Sequence, residues 1–251
     1  FQQFEPARAC FEEARAVLDV DIGRLCFEGP RESLDLTENT QAATLTLEIA
    51  AWRVFEEQLG VRPSAMAGHS LGEYGALCAA GALGFADTLR LVRRRAFLQQ
   101  QAVPPGVGAN AAIQGLDRHT VEALCREVSA EAGLVSPSCY NAQDQTVVSG
   151  YAAPVEAVMA RALAAGAKRA LKLPLSAPFH CALLEGAARR LDGEIARLVL
   201  RGDLGASGLI LAGGCRFRRR IVCGHFEHVA LSLRSLLSDA LHQTKSHPKV
   251  A

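Results

Sequence analysis

The chain has 251 residues, 49% of them hydrophobic and 21% charged, enough for one large domain or one domain carrying a small inserted one. Lys and Arg number 27 against 26 Asp and Glu, so no global charge pulls the chain toward nucleic acid or an acidic membrane. Composition thus excludes a disordered chain, a collagen-like chain and a strongly basic nucleic-acid binder. No apolar run reaches the roughly 18–20 residues of a membrane-spanning helix, and the nearest, 65–86, is interrupted by His69 and Glu73. Glu5, Glu12 and Glu13 lie where the apolar core of a signal peptide would sit, so none is expected.

In chain order, Ala7, Cys10, Phe11, Ala14, Val17 and Leu18 have helical spacing and predict a helix over 5–19. A second helix is expected over 40–59, with Thr40 as its N-cap and Gly60 as its stop. Residues 64–68 read as a short buried strand leading into a helix over 71–80. Asp87 is expected to cap a further helix that runs to 101, before Pro104 and Pro105. The pattern then changes to strand 110–115, helix 118–131, strands 135–140 and 146–149, helix 154–165 and strand 169–173. That order is the split βαβ of a ferredoxin-like unit, and helical periodicity resumes over 180–198.

The division expected from this is a main domain of 1–105 with 175–200, an inserted unit of 106–174, and a tail of 201–251. The tail holds a small apolar run at 208–214, an arginine-rich segment at 216–220 and a possible amphipathic helix at 229–241. The arginines there are read as a solvated face in a chain of balanced charge. Eight cysteines, at 10, 26, 78, 125, 139, 181, 215 and 223, include no C-x-x-C pair and are expected as reduced, mostly buried thiols. Cys223, His225 and His228 fit no common zinc spacing, and no metal site is expected.

Gly68-His69-Ser70-Leu71-Gly72 is a G-x-S-x-G sequence between an expected strand and an expected helix. A sharp strand-to-helix turn would hold the Ser70 hydroxyl outward, with glycines removing Cβ clashes, and would set the Leu71 N–H at a helix start, where a developing oxyanion is favoured. A serine nucleophile needs a base. His69 adjoins the serine and would point away from it on a tight turn, and His119 reads as a surface residue. His180 follows the extended, proline-restrained segment 173–179 and could be presented to Ser70; a histidine capping the start of a helix is the alternative reading.

Gly68-His69-Ser70-Leu71-Gly72-Glu73-Tyr74, Leu91-Val92-Arg93-Arg94-Arg95, Gln100-Gln101-Ala102-Val103-Pro104 and Ser176-Ala177-Pro178-Phe179-His180-Cys181-Ala182-Leu183-Leu184 together resemble the malonyl-CoA:acyl carrier protein transacylases. The resemblance runs over roughly residues 1–198 and implies an α/β fold: a hydrolase-like parallel-sheet domain with an inserted ferredoxin-like subdomain. It implies Ser70 as nucleophile, His180 as base and Leu71 as oxyanion donor. Arg95 is implied as the residue that takes the free malonyl carboxylate, although by sequence alone it is one of three consecutive arginines and would be read as solvated. The resemblance also implies His69, Asn141, Gln145 and Phe179 as substrate-binding residues: Asn141 and Gln145 match positions near the family's cleft, and Phe179 before the histidine is similar to malonyl-selecting members. The implied partners are malonyl-CoA and acyl carrier protein, with no metal or redox cofactor, no nucleic acid and no membrane. A cytoplasmic monomer acting in fatty acid synthesis is expected.

Compared with that pattern, the chain is expected to lack the family's first strand and its Gly-Gln-Gly-Ser-Gln loop. Residues 201–251 are expected to be a divergent end, read from a shifted frame or degraded. Two other readings remain at this stage. A serine esterase or thioesterase of the α/β-hydrolase type expects an acid between serine and histidine, for which Asp117 and Asp144 are the candidates. A non-catalytic fragment could still dock acyl carrier protein through arginines such as Arg93, Arg94 or Arg169.

Overall fold

Apolar residues at helical spacing set the architecture up to residue 102. The computed structural model describes residues 3–199, apart from 62 and 64. Helices α1 (Glu5–Val17), α2 (Ile22–Glu28), α3 (Arg31–Leu34), α4 (Thr37–Leu59), α5 (Gly72–Ala79) and α6 (Phe85–Ala102) follow one another. Cys10, Phe11 and Ala14 of α1, Leu45 and Ile49 of α4, and Leu89 and Val92 of α6 meet in one buried cluster. Inside it the Cys10 thiol donates to the Thr46 carbonyl at 3.6 Å.

Helix α4 ends at Gly60 as expected but begins at Thr37, before the expected cap. Thr40 lies inside the helix, and its hydroxyl donates backward to the Leu36 carbonyl at 3.1 Å while Asn39 Nδ2 donates to Ser33 at 2.9 Å. These side chains satisfy the preceding turn rather than the helix start. Likewise α6 is capped at Gly84, not Asp87. Asp87 sits in its first turn and pairs with Arg90 at 3.0 Å.

Residues 65–68 form no strand, contrary to expectation, and Ala65 and Ala67 are exposed. A strand persists only against a hydrogen-bonded neighbour, and among the described residues none is offered there. The only sheet among the described residues is antiparallel and lies further along the chain, so the expected parallel sheet is not found among them. It is built from β1 (Gly108–Gln114), β2 (Val135–Ala142), β3 (Gln145–Tyr151) and β4 (Arg169–Lys172), with α7 (Arg118–Ala132) between β1 and β2 and α8 (Ala152–Ala164) between β3 and β4. The strand order is β2-β3-β1-β4. Asp117 starts α7 by accepting from the His119 and Thr120 N–H groups at 2.9 and 3.1 Å.

Strand β1 is buried on both faces, and the alternation of side chains divides its duties. Ala109, Ala111 and Ile113 pack on Val121, Cys125 and Val128 of α7 and Val155 and Val158 of α8. Gly108, Asn110 and Ala112 alternate with them, on the face away from the helices. From β4 the chain returns through 173–181 and a short 3-10 turn (Ala182–Leu184) into α9 (Glu185–Val199). Ala187, Leu191 and Ile195 of α9 complete the first core, and Arg94 of α6 donates to Glu194 at 2.7 Å. The apolar run at 208–214, the arginine segment, the helix expected over 229–241, Cys215, Cys223, His225 and His228 lie outside the described residues.

Candidate functional site

The turn from residue 68 into α5 is as tight as its glycine implies. A Cβ on Gly68 would stand 1.9 Å from the Gly72 carbonyl carbon and oxygen, so only glycine fits beneath the start of the helix. The N–H groups of Gly72, Glu73 and Tyr74 donate back to the carbonyls of His69, Ser70 and Leu71 at 2.9, 3.2 and 3.0 Å. Leu71 therefore precedes the first of these turn bonds, at the amino end of α5. Ser70 itself has φ of 56°, in the left-handed region that L side chains rarely adopt. Backbone strain held at one serine is a mark of a site whose side chain must project.

His180 has φ of 57°, and among the described residues it and Ser70 are the only non-glycine residues with positive φ. They face each other: Ser70 Oγ and His180 Nε2 are 2.8 Å apart. Burial, with the positive charge of Arg95 and then His69 adding to it, pushes the His180 imidazole down to about 4. The ring is neutral at pH 7 and so able to take a proton from the hydroxyl. Among the described residues, Arg95 and His69 are the charges that act on it, and neither is a carboxylate.

Arg95, which sequence alone would place at the surface, is only 3% exposed. Its Nη2 donates to Ser70 Oγ at 3.2 Å, and its Nη1 donates to the side-chain carbonyl of Gln41. Gln41 is held in turn by its Nε2, which donates to Gln99 Oε1 at 2.9 Å and Thr37 Oγ1 at 3.0 Å. The Tyr74 ring lies 5.7 Å from the guanidinium carbon, and burial lowers the arginine's pKa while Tyr74 and Glu73 partly offset it. Glu73 is itself pushed up to about 7 by burial, with Arg95 opposing the shift. Arg95 Nε finds no partner among the described residues. Nε is buried and unpaired, and Nη2 beside it already donates to the serine, so this edge carries the donor geometry that matches a planar carboxylate.

The other residues singled out by sequence are spread more widely. His69 is exposed on the turn, and Phe179 is half-buried directly before His180. Asn141 is exposed near the end of β2, and Gln145 starts β3 opposite Gln114; neither hydrogen-bonds to Ser70, His180 or Arg95. Asp117 is committed to capping α7, and the Asp144 carbonyl accepts from the Gly115 N–H at 2.8 Å. The acid an esterase triad would need is therefore not supplied by Asp117. His119 is exposed and sits 3.5 Å from Glu122. Among the described residues no cluster of three or more His, Cys, Asp and Glu side chains could hold a metal ion. No helix there is long and apolar enough to cross a membrane. The six cysteines among the described residues are free.

Sequence reasoning missed Gln41, Gln99 and Asn110. A glutamine on the apolar face of a long helix, and an asparagine inside Gly-Ala-Asn-Ala-Ala-Ile, are polar residues where burial is expected; that mismatch was the available signal.

Ser70, in strained backbone, thus touches the His180 imidazole and accepts from the buried Arg95 guanidinium. Residues 6–204 match the family described as the acyl transferase domain, and the chain belongs to that family. It is 48% identical over 188 residues to the malonyl CoA-acyl carrier protein transacylase of Salmonella typhimurium, an alignment covering 75% of this chain and 60% of that protein. The structure is similar to that of the acyl-carrier-protein S-malonyltransferase from Burkholderia pseudomallei 1710b, with a TM-score of 0.75 and 47% identity over 79% of this chain and 64% of that one. It is also similar to a malonyl-transacylase solved in complex with a type II PKS acyl-carrier protein, with a TM-score of 0.76 and 43% identity over 78% of this chain and 63% of that one. The fold is the α/β fold of these structures. The chain spans about 60% of the length of the curated relatives it matches.

Proposed function

We propose that the chain transfers a malonyl group from malonyl-CoA to the phosphopantetheine thiol of an acyl carrier protein, in fatty acid synthesis. Ser70 Oγ attacks the thioester carbonyl while its proton passes to His180 Nε2. The carbon–sulfur bond breaks, CoA leaves with that proton, and a malonyl-Ser70 ester remains. In the second half the carrier thiol gives its proton to His180 and attacks the ester, and Ser70 recovers its proton as it leaves. The Leu71 N–H, at the start of α5, stabilises the oxyanion in both halves. A reducing, cytoplasmic setting would keep the six free cysteines of the described residues as thiols.

The observation that carries this reading is Arg95: a guanidinium 3% exposed, 3.2 Å from Ser70 Oγ, whose buried Nε has no hydrogen-bond partner among the described residues. A malonyl carboxylate pairs with the Nε–Nη2 edge, whereas an acetyl group leaves it unpaired. A charge-assisted bond of about 1.5–3 kcal/mol corresponds to a preference of roughly ten- to a hundredfold. Intact mass after mixing with malonyl-CoA or acetyl-CoA tests this. The expected result is a malonyl adduct in the unmutated chain, none in Ser70→Ala, and a selective loss of malonyl over acetyl loading in Arg95→Ala. Equal losses for the two donors would remove Arg95 from the selection of substrate.

A further inference from the structure

Asn110 sits among small and apolar residues of β1, with 1% of its surface exposed. Its side chain is spent entirely on the inserted sheet and on the segment before His180. Nδ2 donates to the Ala177 carbonyl at 2.7 Å, and Oδ1 accepts from the Phe179 N–H at 2.9 Å and from Ser149 Oγ at 2.7 Å. A backbone carbonyl only accepts and a backbone N–H only donates, so these partners fix which end of the amide is oxygen.

In a parallel sheet a residue bonds the carbonyl of one neighbour-strand residue and the amide two positions on. The Asn110 amide makes that same pair of bonds across Pro178, so one side chain stands in for a strand pairing. Gly108, two residues earlier on the same face, supports it. A Cβ there would lie 2.5 Å from Pro178 Cγ, so the proline ring rests directly on the strand backbone. Residues 177, 178 and 179 are thus each held against β1. His180 follows at once, with φ of 57° and Nε2 2.8 Å from Ser70 Oγ. A left-handed residue turns its side chain sharply off the line of the segment before it. Any slip of 177–179 therefore swings the imidazole away from the hydroxyl.

From this juxtaposition we infer that Asn110 is a positioning residue for His180, through which the inserted sheet sets the reactivity of Ser70. The inference rests on Ser70 and His180 acting as the nucleophile and base proposed above.

A fluorophosphonate probe tests it without the acyl donor. The Ser70 oxygen bonds to phosphorus, fluoride leaves and the serine proton goes to His180, so the labelling rate reports the pair alone. The full chain, Asn110→Ala, Ser149→Ala and His180→Ala are compared, with melting followed by circular dichroism. In Asn110→Ala labelling is expected to fall about a hundredfold, the size of loss that follows a misplacement of about 1 Å. The unmutated rate should be flat between about pH 6 and 8, because the imidazole is already neutral. In Asn110→Ala the rate should instead climb with pH, as hydroxide takes over the proton. Ser149→Ala keeps both backbone bonds and should label within about threefold of the unmutated chain. Asn110→Asp keeps the shape but turns a lone pair toward Ala177, and must also be slow.

A folded Asn110→Ala or Asn110→Asp chain that labels at the unmutated rate with a flat pH profile overturns the inference. So does loss of the fold in both, which would make Asn110 a folding residue. If the unmutated chain is labelled but gains no malonyl group, the transfer reading fails and the positioning role stands. If it is not labelled at all, both fall.

Discussion

Replacing Arg95 by methionine removes the largest charge acting on His180 while keeping an apolar stem among Tyr74 and its neighbours. In the unmutated chain the imidazole stands at about 4 against an ordinary 6.5. Burial is the larger cause and Arg95 the second, so Arg95→Met should raise the midpoint while leaving it below 6.5. The sign for stability follows from proton uptake. Between pH 6.5 and 4 the unfolded imidazole binds a proton and the folded one does not, so stability is complete above 6.5 and is lost as pH falls through 4. At about 1.36 kcal/mol per pH unit, the interval corresponds to about 3 kcal/mol. That is an upper limit, because the ring keeps some solvent contact that screens the charge. The imidazole Cε1–H resonance of His180, followed by NMR across pH, gives the midpoint directly. Urea unfolding of the unmutated chain and of His180→Gln, compared over the same range, isolates this residue from the carboxylates that titrate nearby. A midpoint near 6.5 in the unmutated chain, or one that Arg95→Met leaves in place, would refute the account of how the base is kept neutral.

Three further outcomes follow from the packing. Gly68→Ala must push the elbow off the Gly72 carbonyl, 1.9 Å from the new Cβ; about 3 kcal/mol of destabilisation and a loss of Ser70 labelling are expected, and an unchanged labelling rate would be inconsistent with the turn as described. Ile113→Ala, at a fully buried position between the sheet and its helices, should cost about 2–5 kcal/mol by urea unfolding; a change under about 1 kcal/mol would mean the sheet is not packed on α7 and α8 as seen. Cys10 and Cys125, both pushed up to about 12 by burial, should resist iodoacetamide in the native chain and react after unfolding, as peptide mass mapping would show; rapid native alkylation at either would contradict their burial.

Much of this was legible in sequence because the signals were local. Gly68, Ser70 and Gly72 announce the elbow within five residues, and residues 106–174 set short apolar runs between well-marked turns such as Asp117 and Gly133. The depth of Arg95 was legible only through resemblance, since nothing in Arg93-Arg94-Arg95 says which of the three turns inward. What decides it is the register of α6 against Gln41, a residue fifty-four positions away. The Asn110 contacts with 177 and 179 span sixty-seven and sixty-nine positions in the same way. Such pairings belong to the tertiary fold and leave no periodic trace. The strand expected over 64–68 failed for a related reason: a short apolar run specifies burial, but strand geometry requires a partner elsewhere. Helices α2 and α3 were too short to show a period at all.

The left-handed backbone at Ser70 and His180 sets stability and reactivity against each other at the same two positions. Each such residue carries about 1–3 kcal/mol of local strain, and glycine at either would relieve it. Selection for thermal stability alone, whether in a laboratory screen or in a gene copy released from its task, therefore favours Ser70→Gly and His180→Gly. The more robust chain would be the inert one. For this fold a rising melting temperature is evidence of improvement only when the serine is shown, in the same sample, still to react.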